Sequence, residues 1–339
     1  LSEEALRYNQ EGVKRQLMQF LDFDDSKVNC AEMVNNYDWF RDMSFLNFIR
    51  DVGKHITVNY MMAKDSVKKR IEGDAGMSFT EFTYQLVQGY DFYWLYTNKN
   101  CRLQMGGSDQ WGNIVTGTEL IRRKAGAEAF AFTCPLITKA DGGKFGKTEQ
   151  GNVWLDAKRT SPYQFYQFWL NASDEDAQKW IRIFTFLTFE EIEAVSNKHQ
   201  QDPSQRVLQK RLAEEITAFV HGRDELEKAI ETTQKLFANQ NASAETLSVE
   251  DLEGMEGVVK SDFARLKLNS GVDIVSFLAE TNIFPSKGEA RKTIQGGGVS
   301  INRRKVSDIQ MSIDSSLLLH DKYILVQKGR KNYYLVKLI

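Results

Sequence analysis

The spacing of apolar positions changes character along the chain. In residues 1–157, short apolar runs at 101–105 and 132–137 lead into glycine-rich turns and alternate with amphipathic stretches. That alternation predicts an α/β domain in which strands feed helices. Over 158–239 the spacing becomes helical, with Leu208, Leu212, Ile216 and Phe219 on one face, a stripe suited to burial. Residues 240–271, rich in Ser, Asn, Glu and Gly with weak periodicity, read as a linker. Over 272–339 the pattern is compact again. There Ser286-Lys287-Gly288-Glu289 has the form of a capping box, Gly296-Gly297-Gly298 ends the helix it opens, and Val299-Ser300-Ile301 reads as a strand. Two apolar runs at 323–326 and 333–336 predict a hairpin around Lys328, Gly329, Arg330, Lys331 and Asn332.

Length and composition narrow the class. A chain of 339 residues exceeds one ordinary core, which predicts two or three domains. With 42% hydrophobic and 27% charged residues it has the make-up of a soluble globular protein, and no apolar run approaches the roughly 20 residues of a membrane span. The three cysteines, Cys30, Cys101 and Cys134, are scattered and show neither a disulfide framework nor zinc spacing. A reducing cytoplasm fits, and no protein-bound metal is expected. The net charge of -2 hides an asymmetry, because residues 272–339 hold eleven Lys or Arg against six Asp or Glu, a balance of +5. A small basic tail domain follows.

Three segments carry candidate chemistry. On the apolar helix predicted from Phe79 to Tyr96, Tyr84, Gln88 and Asp91 fall within an arc of about 60° at 100° per residue, while Phe82, Leu86 and Tyr90 form a separate stripe. Such a polar row either faces solvent or needs partners, since an unpaired buried carboxylate is costly. Next, Gly106-Gly107-Ser108-Asp109-Gln110 turns out of a strand into a helix beginning near Ser108, where backbone can approach a ligand closely. Asp109 there suits ribose hydroxyls better than phosphate, although glycine turns before helices are common. The third segment, Lys144-Phe145-Gly146-Lys147-Thr148, is either a charged surface loop or a doubly charged arm suited to departing pyrophosphate.

Taken together with Asn35-Asn36-Tyr37-Asp38-Trp39, these segments in this order and spacing closely resemble bacterial tyrosyl-tRNA synthetases, along essentially the whole chain. The tail resembles an S4-type RNA-binding domain. The resemblance implies a class I enzyme with a Rossmann-like α/β catalytic domain over 1–157, a helical domain over 158–239, a linker over 240–271 and an S4-like α+β domain over 272–339. It implies L-tyrosine, ATP with Mg²⁺ as its substrate complex, and tRNA(Tyr) as partners, and a homodimer with Phe79 at its interface. By the same resemblance Asp91 would accept the tyrosine phenol, Tyr84 and Gln88 would hold its ammonium group, Gln110 would face its carboxyl end, and Asn36 would brace the rim. Gly107 and Asp109 would bind the ATP ribose, and the backbone near Leu136 and Ile137 would meet adenine. Lys144, Lys147 and Thr148 match the family's KMSKS loop, written KFGKT here, with Lys147 also on ATP. Arg122 and Arg123, and in the tail Lys287, Arg291, Lys292, Lys328, Arg330 and Lys331, would face tRNA. The family's HIGH-like motif has no counterpart in the sequence, so an N-terminal segment is expected to precede Leu1. The alternative reading is an inactive synthetase-like protein that keeps only RNA binding.

Overall fold

The computed structural model describes residues 2–73, 76–140, 142–143, 145–148, 151–237, 244–253, 255, 258–268, 271–329 and 332–339. They form two compact units, Leu1–Phe145 and Gly146–Ile339. The first opens with α1 (Glu3–Leu17), capped by Ser2, and continues through short helices α2 (Tyr37–Phe40), α3 (Phe45–Asp51), α4 (Val58–Met62) and α5 (Asp65–Ile71). The long helix α6 (Phe79–Lys99) follows, then β1 (Leu103–Gly107), α7 (Trp111–Ala125) and β2 (Phe130–Cys134).

Local chemistry sets the ends of α6. Ser78 and Glu81 form a reciprocal capping box at its start, and Asn100 closes it in the left-handed conformation. Glycines let α6 and α7 meet closely: a methyl group on Gly117 would lie 2.7 Å from Phe92 Cβ, and one on Gly89 would lie 3.0 Å from Thr116 Cγ2. The predicted stripe is confirmed, for Leu86 packs with Val52, Ile56, Met61 and Leu120, and Phe82 and Tyr90 lie against that core. Strands β1 and β2 run parallel, with Leu103 opposite Phe130 and Met105 opposite Phe132. The second strand stops at Cys134, short of the predicted run, where Pro135 has no N–H to continue a ladder.

In the second unit, the pair β3 (Lys147–Thr148) and β4 (Gly151–Asn152) precedes five helices. These are α8 (Pro162–Leu170), α9 (Asp174–Phe184), α10 (Phe189–Gln201), α11 (Val207–His221) and α12 (Arg223–Phe237). Leu208, Leu212 and Ile216 are buried as expected, but Phe219 is 47% exposed and packs edge-on against Phe186. The buried face of α11 is turned toward Gln209, Ala213 and Thr217, which leaves Phe219 at its rim.

The stretch expected to be a linker is ordered where it is described. It holds α13 (Val249–Glu253), β5 (Val259–Phe263) and α14 (Arg265–Leu268), and buries Leu247, Leu252, Met255 and Val258. The tail continues with β6 (Val272–Asp273), α15 (Ile274–Glu280), α16 (Lys287–Gln295), β7 (Val299–Ile301), β8 (Arg304–Val306), β9 (Ser312–Ile313), β10 (Tyr323–Lys328) and β11 (Asn332–Leu338). Five strands make one sheet in the order β5-β11-β10-β7-β8, with β5 parallel to β11 and the predicted β10–β11 hairpin in place. Phe277, Phe284, Ile294, Ile324 and Val336 fill the core that α15 and α16 share with this sheet.

Candidate functional site

On α6 the polar row divides by surroundings. Tyr84 is more than half exposed and Gln88 half-buried, and neither side chain has a hydrogen-bond partner among the described residues. Asp91, one turn further, accepts from Trp39 Nε1 at 2.8 Å and from Asn36 Nδ2 at 3.3 Å. Trp39 is fixed in turn by stacking on Trp94, with ring centroids 4.3 Å apart. Burial pushes the Asp91 carboxyl above its usual range, opposed by the bonds from Trp39 and Asn36. A carboxylate has about four lone-pair sites, so two donors leave room for another.

The second cluster lies where β1 turns into α7. A methyl group on Gly107 would fall 2.6 Å from Asp109 Oδ1 and 3.1 Å from Leu136 Cδ2, so with any larger residue these side chains would have to shift. Gln110 donates to Asp109 at 3.0 Å and accepts from Asn113 at 3.3 Å. Ile137 is half-buried just beyond Leu136. Four of the nominated groups, Gly107, Asp109, Gln110 and Leu136, are therefore brought together, and Asn36 joins Asp91 in the first cluster. The backbone of Lys147 and Thr148 forms β3, paired with β4, whereas Lys144 lies outside the described residues.

Sequence reasoning left two contributors unassigned. Trp39 stood in the quoted motif without a role, and only the structure places its indole on Asp91. Lys64, given no role from the sequence, inserts against α7, where its Nζ donates to Gly112 O and Thr116 Oγ1. Burial draws this ammonium down to about 8.

Comparison with known proteins shows the family of the chain. A family model described as tRNA synthetases class I (W and Y) matches residues 1–238, and one described as a tyrosine–tRNA ligase C-terminal domain matches 255–336. The tyrosine–tRNA ligase of Porphyromonas gingivalis is 58% identical over 343 residues, spanning 99% of this chain and 79% of the relative, and that of Parabacteroides distasonis is 59% identical over 341 residues at the same coverage. The chain belongs to the tyrosine–tRNA ligase family. Among solved structures, a C-terminally truncated mitochondrial tyrosyl-tRNA synthetase of Aspergillus nidulans superposes with a TM-score of 0.56 at 30% identity, covering 67% of this chain and 66% of that one. The match from residue 255 agrees with β5 lying in the tail sheet and not in a linker. Nothing in these relatives supports an inactive member of the tyrosine–tRNA ligase family.

The residues nominated for tRNA are less uniform. Arg122 and Arg123 in the last turn of α7 both engage Glu119, and Arg123 also donates to His55 O. They hold Glu119 down to about 2. In the tail, Lys287 donates to Ser276 Oγ at 2.7 Å. Lys328 lies 4.1 Å from the Phe284 ring centroid and 3.1 Å from Glu289 Oε1, so it is engaged in the tail's own packing. Glu289 thus meets Lys328, and of the expected capping box Ser286 supplies the observed half. Arg291 and Lys292 on α16 are exposed with no partner among the described residues, whereas Arg330 and Lys331 lie outside them.

No group of three His, Cys, Asp or Glu among the described residues could hold a metal ion. Also among them, no helix is long and apolar enough to cross a membrane.

Proposed function

We propose that the chain activates L-tyrosine with ATP and transfers the tyrosyl group to tRNA(Tyr). The observation that carries this reading is the Asp91 carboxylate, set half-buried on α6 with Trp39 and Asn36 fixing it and accepting capacity to spare. A phenol O–H is the donor such a group suits. Tyr84 and Gln88, two turns and one turn earlier and without hydrogen-bond partners among the described residues, offer a phenol oxygen and an amide oxygen to the ammonium group. The exposure of Tyr84 relative to Asp91 supports a substrate lying along α6 with its ring inward and its polar end outward.

The nucleotide belongs at the Gly107 turn. Asp109 would accept from the ribose hydroxyls while Leu136 and the backbone around Ile137 border adenine. In the first step a tyrosine carboxylate oxygen attacks the α-phosphorus of Mg-ATP. The bond from that phosphorus to the bridging oxygen breaks, and pyrophosphate leaves. Gln110 orients the carboxyl end, and Lys144, Lys147 and Thr148 stabilise charge gathering on pyrophosphate. The protein contributes positioning and electrostatics with no covalent intermediate of its own. In the second step a ribose hydroxyl at the tRNA 3′ end attacks the acyl carbon, loses its proton, and AMP departs.

The exposed Arg291 and Lys292 support tRNA phosphate contacts by the tail, and the 69% exposed Phe79 at the head of α6 supports a homodimer seam. A cytoplasmic enzyme accords with this chemistry. Tyrosine-dependent exchange of pyrophosphate into ATP, followed by charging of tRNA(Tyr), tests the reading; absence of both in the full chain would contradict it.

A further inference from the structure

The hairpin joining β7 to β8 has a two-residue tip, Asn302 and Arg303, since Ile301 pairs directly with Arg304. Both tip residues lie in the left-handed region, at φ 49° and 67°. Tips of this kind favour Asn followed by Gly, because the second position strains any residue with a Cβ. Asn302 meets the pattern, donating to Leu317 O at 2.6 Å and accepting from Leu325 N at 2.9 Å. Arg303 violates it. Its guanidinium reaches out of the tail and donates from Nη2 to Lys235 O at 2.9 Å, in the last turn of α12. Carbonyls there lack intrahelical donors and form the negative end of the helix dipole, so a cation is well placed. Near it, Tyr333 of β11 and Tyr163 of α8 are both buried.

We propose that Arg303 is a positioning residue that clamps the tail domain onto the C-terminal end of α12, fixing where α16 and its exposed Arg291 and Lys292 present themselves to tRNA. Local backbone preference is sacrificed for a long-range contact, as expected where geometry between domains matters more than hairpin stability. The inference rests on the proposed tRNA-charging function, but the clamp can be read separately from it.

The test is Arg303→Gly in the full chain, a change that relieves the strained φ and so preserves the hairpin. Tyrosine-dependent pyrophosphate exchange should stay within about twofold of the parent, while kcat/KM for tRNA falls about tenfold or more, as for loss of a hydrogen bond to a charged group. Amides in the last turn of α12 should exchange faster with solvent, and the salt dependence of tRNA binding should keep its slope. Unchanged charging together with unchanged α12 protection would overturn the clamp. A slope reduced by about one would also overturn it, by showing that Arg303 contacts an RNA phosphate directly. A parent without pyrophosphate exchange would count against the functional reading alone, because α12 protection would still decide the clamp.

Discussion

Asp91 on α6 and Asp109 before α7 carry the same carboxylate into opposite surroundings. The first is half-buried, receives two hydrogen bonds from residues more than fifty positions earlier in the chain, and has its carboxyl pushed up by burial. The second is exposed, folded over Gly107 with the amide of the adjacent Gln110 on it. A buried carboxylate with fixed donors is shaped before any ligand arrives, so it can reject a ligand that fails to match. An exposed one on a tight turn adds affinity without strong discrimination. In this account specificity resides on α6, and nucleotide affinity and rate reside at the turn and in the lysine loop.

The largest effect should come from the lysine loop. Lys147→Ala, and separately Lys144→Ala, should slow adenylate formation about 10²-fold or more, as for loss of one donor to developing charge, with tyrosine affinity within about twofold of the parent. Pre-steady-state kinetics measure both quantities. A large loss of tyrosine affinity would merge the two regions that the account separates. Asp109→Ala should raise KM for ATP about tenfold through loss of a hydrogen bond to a charged group, and should leave selection between amino acids untouched. Altered amino-acid selectivity in steady-state pyrophosphate exchange would break the comparison.

Much of this division was legible in the sequence, for definite reasons. The polar row on α6 follows from helical periodicity alone, and the Gly107 turn from glycines at a strand end. What the sequence could not reveal depended on contacts across long separations. The Trp39 bond to Asp91 spans 52 positions and obeys no local period. The segment around β5 looked like a linker because a short edge strand carries little pattern, yet its hydrogen bonds to β11 are supplied by the far end of the chain. Lys328 looked like a nucleic-acid contact, whereas the Phe284 ring and Glu289 engage it within the tail. Phe219 shows that a correct period can still misplace a face, since polar Gln209 and Thr217 lie on the buried side of α11.

The smallest expected effect concerns the support behind the turn. Lys64 titrates at about 8 in the fold, against 10.5 for a lysine side chain in water. Between these values the unfolded chain binds more protons than the folded one, so stability should rise as pH increases through that window. Lys64→Met should flatten the rise in urea-unfolding midpoints across it. A parent whose stability falls there would place Lys64 in water instead of against Gly112 and Thr116.

The central claim is that Asp91 reads the phenol, and the direct measurement is the ratio of kcat/KM for tyrosine over phenylalanine in pyrophosphate exchange, compared between the parent and Asp91→Ala. Phenylalanine leaves the carboxylate further desolvated without the phenol donor, a penalty that disappears when the carboxylate is removed. The account predicts that the ratio collapses by about tenfold or more in the variant. A ratio within about threefold of the parent would contradict it.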